Sequence, residues 1–337
     1  MLSVSFGITF VPGHPREFIE WCQTAEACGL QRIGIADSQS VYRELYVSCA
    51  LCATHTKTIK FGPRVTNPMT RHPAVTASAM QTLQEMAPGR TFLGIATGDS
   101  AVLNAGLPFA THARLREYIG AVRDLWSRGE TEYQGRMARL TWGRQPMPIY
   151  VAAHGPKTLR LAGQIADGVV VGTGLGEDVV RETLAAIRQG AEEAGRDFRT
   201  IDVWWLLLGN LAASKRQAID DLRMSLAGFA HILARFHTQG KQIPPEIEKP
   251  LVQVARRYDV SEHVMPGAGR RNAALVDEYG VKEYLAERYA LAGTPEDCIQ
   301  KVRQAAAWGV RQIWMSVHFP DKVSFVKRWG QEVMPYL

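Results

Sequence analysis

Short apolar runs alternate along almost the whole chain with longer segments in which apolar residues recur every three or four positions. The short runs predict strands at Val4–Phe10, Arg32–Asp37, Ile59–Asn67, Thr91–Gly98, Ile149–Ala153, Gly168–Thr173, Asp202–Leu211 and Arg311–Phe319. The periodic segments predict helices from His14-Pro15 to Gly29, from Val41 to about Thr54, and from Pro73 to about Met86. Further helices are predicted from His112 to Ser127, over Lys157–Ala166, from Glu177 to Gly195, and over Val323–Met334. Runs such as Gly168-Val169-Val170-Val171 are apolar without alternation, as strands covered on both faces must be. Eight strand–helix units predict an α/β fold, an all-parallel sheet closed into a (β/α)8 TIM barrel. A doubly wound open sheet is the alternative, but it calls for a two-domain break that the pattern lacks.

Residues 1–337 therefore read as a single domain with two interruptions. Thr131–Pro148 carries Tyr133, Gly135 and Trp142 and reads as a small excursion before the fifth strand. A longer insertion runs from about Gly240 to Ala292, between strand seven and strand eight, with Pro244-Pro245 and Gly267-Ala268-Gly269 inside it. Such an insertion in a barrel is expected to act as a lid over the active-site mouth or as a subunit contact.

Composition narrows the function classes. At 337 residues the chain can bury a large core, and 46% hydrophobic with 21% charged residues is ordinary for a globular protein. No apolar run approaches the roughly 20 residues that span a bilayer, and Met1-Leu2-Ser3-Val4 lacks the basic start of a signal peptide. We expect a cytoplasmic protein with no membrane partner. The net charge of +6 is spread along helices rather than gathered into an arm, which argues against nucleic acid and suits a phosphate-bearing cofactor. Five Cys make no disulfide framework, and Cys49-Ala50-Leu51-Cys52 lies in a helix-like apolar run, so buried thiols are expected. No His/Asp/Glu grouping has metal-ligand spacing.

In this architecture the chemistry belongs at the C-terminal ends of the strands. Polar and Gly-rich residues gather there: Asp37-Ser38-Gln39, Val65-Thr66-Asn67-Pro68, Thr97-Gly98-Asp99-Ser100, Ala153-His154-Gly155-Pro156-Lys157-Thr158 and Gly172-Thr173-Gly174-Leu175-Gly176. The free N–H groups of a helix beginning at Lys157 or Thr158 suit a phosphate, with the Gly172–Gly176 loop as a second candidate; a plain capping turn is the other reading. Asp37, Asp99, His72 and His154 are the titratable groups at the mouth, each able to move a proton or merely to cap a helix or brace a loop. One of Trp204 and Trp205 is expected to face the barrel interior.

These loops resemble the bacterial luciferase-like superfamily of flavin- and deazaflavin-dependent oxidoreductases, most nearly its methylenetetrahydromethanopterin reductase branch. The resemblance rests on Val65-Thr66-Asn67-Pro68-Met69-Thr70-Arg71-His72-Pro73, on Gly89-Arg90-Thr91-Phe92-Leu93-Gly94-Ile95-Ala96-Thr97-Gly98-Asp99-Ser100, and on Pro148–Leu159 with Ala162-Gly163 and Ala166-Asp167-Gly168. Leu291-Ala292-Gly293-Thr294-Pro295-Glu296 completes the set. It implies a non-proline cis peptide near Val65-Thr66, with Thr66 and Asn67 beside the ring of a flavin-type cofactor. It also implies that Thr97, Gly98 and Asp99 lie along the ring and ribityl chain. Gly155, Lys157 and Thr158 would hold the phosphate, with His154 beside them among the cofactor-binding residues, and Gly174 and Leu175 would form a second wall. Asp37 and Asp99 stand where some deazaflavin enzymes of the family keep a His and a Glu, which puts that acid–base chemistry in question.

Three functions follow. The first is a monooxygenase that uses reduced FMN and O2 on a small organic substrate, with a flavin reductase as electron supplier and His72, Asp99 or Asp37 as proton donor. The second is a coenzyme F420-dependent reductase or dehydrogenase that transfers hydride. The third is a cofactor-free binding or structural barrel. The reading leans to the first, on a homodimer.

Overall fold

The computed structural model describes residues 4–262 and 270–337; Met1–Ser3 and the Gly267–Gly269 turn expected in the insertion lie outside them. The strands are β1 (Ser5–Phe10), β2 (Arg32–Ile35), β3 (Lys60–Pro63), β4 (Leu93–Ile95), β5 (Glu130–Tyr133), β6 (Arg136–Arg139), β7 (Ile149–Ala153), β8 (Gly168–Val171), β9 (Asp202–Leu211), β10 (Ala290–Gly293) and β11 (Gln312–Ser316). Eight of them run parallel in the order β3-β2-β1-β11-β9-β8-β7-β4. Single parallel bridges, Phe61 to Thr91 and Thr66 to Ile95, join β3 to β4 and close the ring. The fold is the TIM barrel that the alternation predicts. The Thr131–Pro148 excursion is the antiparallel hairpin of β5 and β6.

Two apolar clusters divide the molecule. One lies between the strands and the outer helices and includes Ile33, Leu93, Val151, Val169 and Trp205. The other fills the barrel interior with Phe92, Tyr150, Trp204, Leu206, Leu208 and Trp314. The alternation of a strand thus splits Trp204 from Trp205, with Trp204 inside. Gly7 makes room for this filling, because a Cβ there would stand 3.2 Å from the Trp204 ring.

The long insertion begins earlier than the sequence pattern suggests. The helix Arg223–Ala234 belongs to the interior cluster through Leu226, Phe229 and Leu233, rather than to the outer layer. The helix that packs into the outer layer after β9 is Pro295–Ala307, through Cys298, Val302 and Ala305. An apolar helix covering the open end of a barrel has the same periodicity as one flanking a strand, so sequence alone does not separate them. The chain returns to the rim through β10, which pairs with the last part of β9, Leu211 opposite Gly293. Among the described residues, no helix is long and apolar enough to cross a membrane. Cys22, Cys49, Cys52 and Cys298 are buried, as expected.

The lower end of the barrel is organised round Arg32. Its Nη2 donates to Asp202 Oδ2 at 2.7 Å and its Nη1 to the Tyr150 hydroxyl at 2.6 Å. Tyr150 Oη and Trp204 Nε1 donate to the same Asp202 oxygen at 2.6 and 3.0 Å. The guanidinium also lies 4.8 Å from the Trp204 ring and 4.9 Å from that of Tyr150, within cation–π range. Removing the carboxylate would leave a buried cation and two donors without their acceptor. Asp202→Ala is expected to destabilise the protein by about 2–3 kcal/mol, less than for a fully buried pair because Asp202 is partly exposed. Asp202→Asn keeps an acceptor and should lose clearly less, as read from urea denaturation midpoints.

Candidate active site

The C-terminal ends of the strands surround a cavity of about 510 Å3, inside the roughly 300–1,000 Å3 usual for cofactor and ligand sites. Asp37, Thr66, Asn67, Thr97, Gly98, Asp99, His154, Gly155, Lys157 and Thr158 all line it, although they come from four different strand ends. Parallel closure places every such end on one rim, which is why residues distant in sequence meet there.

On the side of β3, the peptide between Arg64 and Val65 is cis, one residue before the position implied by the resemblance. Thr66 follows, fixed by its N–H on Gly94 O and its O on Ala96 N. Its hydroxyl donates to Asp37 Oδ2 at 2.7 Å. Asp37 is held in turn by Arg71 Nη1 at 2.7 Å and Nη2 at 3.3 Å, with its side chain only 1% exposed. Burial opposes the Arg71 charge, but the bonds and field of Asp37 outweigh it and raise its pKa. Asn67 folds its own loop: Oδ1 accepts from Met69 N and Thr70 N.

Next to β4, Gly98 sits at φ +106°, where a Cβ would also press on Val102. Asp99 opens the short Ser100–Leu103 helix without a side-chain cap bond. Its Oδ1 lies 3.2 Å from Arg235 Nη1, an ion-pair distance, yet neither atom is aligned for a hydrogen bond. The contact is therefore Coulombic rather than directional. The Ser100 hydroxyl donates to Ser38 Oγ and ties the strand-two and strand-four loops together.

Beyond β7, Gly155 is the N-cap of the helix Pro156–Ile165 and offers no side-chain acceptor. Pro156 has no N–H, so Lys157 N and Thr158 N are the orphan donors of this first turn, facing an anion-favouring dipole end. Thr158 Oγ1 pairs with His112 Nε2 at 2.9 Å, and burial with the neighbouring Lys157 charge lowers the His112 pKa. His154 Nδ1 lies 3.0 Å from Gly172 O. A carbonyl only accepts, so Nδ1 carries the proton and Nε2 is the bare acceptor. Burial, reinforced by Arg235, lowers this imidazole to about 4.

Three expected residues stand elsewhere. His72 is exposed and caps the helix Pro73–Met86, its Nδ1 accepting from Ala74 N and its ring edge-on to Tyr133. It does not line the cavity, because the loop turns it towards its own helix. Gly174 and Leu175 lie under the returning insertion: Leu175 N donates to Arg288 O, and a Cβ on Gly174 would strike Arg288. That packing separates the Gly174–Leu175 wall from the cavity.

Sequence reasoning passed over Arg64, His318 and the Ser225–Lys241 stretch, of which Ser225, Phe229, Arg235, Phe236 and Lys241 line the cavity. His318 lies just past β11, where the strand-end rule applied to the eighth strand finds it; its Nδ1 pairs with Ser225 Oγ at 3.0 Å. Lys241 Nζ donates to Leu233 O and Arg235 O, and burial beside Arg235 and Arg288 lowers it to about 8.

The lowered His154 pKa makes stability depend on pH. Unfolded, the ring titrates near 6.5; folded, near 4. Between these values the unfolded chain binds the extra proton, so the stability is full above pH 6.5 and is lost as pH falls towards 4. His154→Gln should flatten the fall in denaturation midpoint between pH 6.5 and 4.5; an unchanged slope would show that the ring titrates normally.

Comparison with known proteins gives the family. A family model described as luciferase-like monooxygenase matches residues 4–312. The 5,10-methylenetetrahydromethanopterin reductase of Methanolobus tindarius is 30% identical over 345 residues, covering 98% of this chain and 100% of that protein. The F420-dependent glucose-6-phosphate dehydrogenase of Kineococcus radiotolerans is 33% identical over 274 residues, covering 75% of this chain and 80% of its own length. The structure of the coenzyme F420-dependent tetrahydromethanopterin reductase from Methanopyrus kandleri superposes with a TM-score of 0.80 at 26% identity, covering 99% of both chains. With most of its length matched and the barrel in place, the chain belongs to the luciferase-like monooxygenase family.

Proposed function

We propose that this chain, an oxidoreductase, binds coenzyme F420 and transfers hydride between it and a small organic substrate. The observation that carries the reading is end-to-end similarity to a methanopterin reductase, joined by an F420-dependent dehydrogenase and an F420-dependent reductase structure. The lean towards reduced FMN and oxygen gives way on that ground. The family name covers both chemistries and decides nothing between them. No feature of the cavity favours a flavin reductase partner.

The residues present fit such a cofactor. The uncapped helix start at Gly155 offers Lys157 N and Thr158 N to a phosphate, and Lys157 adds a positive charge. A ring extending inward from that anchor would run between the Thr97-Gly98 loop and the Val65-Thr66-Asn67 bulge. When bound, the deazaflavin supplies a ring carbon that gives or takes a hydride. The protein's part is to hold, orient and dry the site. Asp37, ion-paired and buried, fixes Thr66 and the bulge. His154 Nε2 is a neutral acceptor, and Asp99 an anion beside Arg235, so both can order the donors of a bound ligand. The insertion residues from Ser225 to Lys241 act as a lid, excluding water from the hydride path.

Anaerobic absorbance titration of the purified protein with F420 and with FMN, side by side, tests the reading. Selective F420 binding supports it; selective FMN binding with oxygen-dependent consumption of reduced FMN overturns it. Lys157→Ala combined with Thr158→Ala should weaken F420 binding about tenfold or more while leaving the denaturation midpoint in place. Unchanged affinity would show that neither side chain helps to hold the phosphate.

A further inference from the structure

The arginines around the cavity are not alike. Arg235 faces Asp99, and Arg71 is held by Asp37 and Glu44. Arg288 is satisfied by Thr173 O, Lys241 O, Gln242 O and the Tyr284 hydroxyl. Arg64 lines the cavity as Arg235 does, but among the described residues no carboxylate pairs with it.

Its setting is built rather than accidental. Arg64 follows β3 and its side chain crosses the barrel interior over β2 and β1 to reach β11, where Nη2 donates to Ser316 Oγ at 2.8 Å. The stem packs where Gly34 leaves space: a Cβ on Gly34 would stand 2.6 Å from Arg64 Cβ and 3.0 Å from the Trp314 ring. The guanidinium carbon lies 5.8 Å from the centre of that ring. Thr9, on the intervening β1, also lines the cavity. Two polar atoms in this layer, Arg64 Nε and Thr9 Oγ1, are buried without a hydrogen-bond partner. Burial lowers the Arg64 pKa to about 9, and no neighbouring anion offsets it. A desolvated cation with an idle donor is costly to a folded protein, and groups of this kind are kept where a ligand completes them.

We propose that Arg64, Thr9 and Ser316 form an acceptor-binding floor for the cavity. It takes two adjacent acceptor atoms of a planar, negatively polarised group, through the forked donors of the guanidinium. This rests on reading the cavity as a cofactor and substrate site. Two sources present that chemistry at the deep end of the cavity: the edge of the deazaflavin ring where a carbonyl oxygen adjoins a ring nitrogen without hydrogen, and a carboxylate of the substrate. Arg64 adjoins Val65 in the chain, so the floor is continuous with the Val65–Asn67 wall.

The test compares the whole protein with its Arg64→Met and Arg64→Lys variants. Two probes are titrated: F420, and benzoate as a planar carboxylate, the latter into F420-saturated protein where F420 binds and into apoprotein where it does not. Arg64→Met should lose affinity at least tenfold for one probe, with Arg64→Lys recovering only part because it keeps the charge and loses the fork. Its denaturation midpoint should stay at or above that of the wild type, since a cation without an anion has been removed; a structural arginine would lower it. Loss for F420 assigns the floor to the ring edge. Loss for benzoate with F420 affinity intact assigns it to the substrate. Affinities unchanged for both probes, including a wild type that binds no benzoate, overturn the proposal, as does a lowered midpoint without any change in affinity. The proposed function fails separately, if wild-type protein binds no F420; benzoate binding to the apoprotein then decides the role of Arg64 alone.

Discussion

A cation buried in the lower barrel conditions everything above it. Arg32 gathers Asp202, Tyr150 and Trp204 into one network, and the aromatic rings stacked around its guanidinium fill the lower interior. A barrel of eight strands has an interior just wide enough for side chains to fill. Filling the bottom with large rings leaves free volume only at the top, where the strand ends bring their polar residues. The arrangement needs very small residues on the facing strands, and Gly7 and Gly34 supply them, one against Trp204 and the other against Arg64 and Trp314.

The upper half is built by pairing charges until few are left over. Asp37 is spent on Arg71 and Thr66, which turns a carboxylate at a strand end into a brace for the neighbouring bulge. Asp99 faces Arg235 across the mouth, joining the strand-four loop to the covering helices. Among the described residues, the groups that line the cavity and remain able to engage a ligand include the helix start at Gly155 with Lys157, the bare Nε2 of His154, the outer face of Asp99, and the donors of Arg64. They lie on different walls, so a bound molecule is gripped at separated points rather than along one edge.

The fold was legible because strands buried on both faces, such as Gly168-Val169-Val170-Val171, differ in period from the helices between them. Most of the candidate site was legible for a topological reason: parallel closure sends Asp37, Thr66, Asp99 and Lys157 to one rim whatever their separation in the chain. The misplacements have local causes. His72 reads as a mouth residue by position, but a helix N-terminus claims its ring nitrogen. Gly174 and Leu175 sit at a strand end like the rest, yet Arg288 from the insertion covers them. Arg64 escaped notice inside a run read as strand, although a charged residue two positions after an inward glycine, Gly62, has the parity of an interior side chain. Arg235 and Lys241 gave no periodic signal, since the backbone turns through a positive φ at Phe236 between them.

The pairing of Leu211 with Gly293, reinforced by Ala212 N on Gly293 O, has one more consequence. The covering helices leave the rim and come back to it at adjacent points. Because β10 runs parallel to β9, the excursion is to the barrel one crossover between neighbouring strands. The register of the barrel strands is set by their own pairing, while the cover meets the scaffold at the interior cluster and at the Gly174–Leu175 loop. On the proposed reading, a cover carried on one crossover would let the same cofactor platform face different substrates.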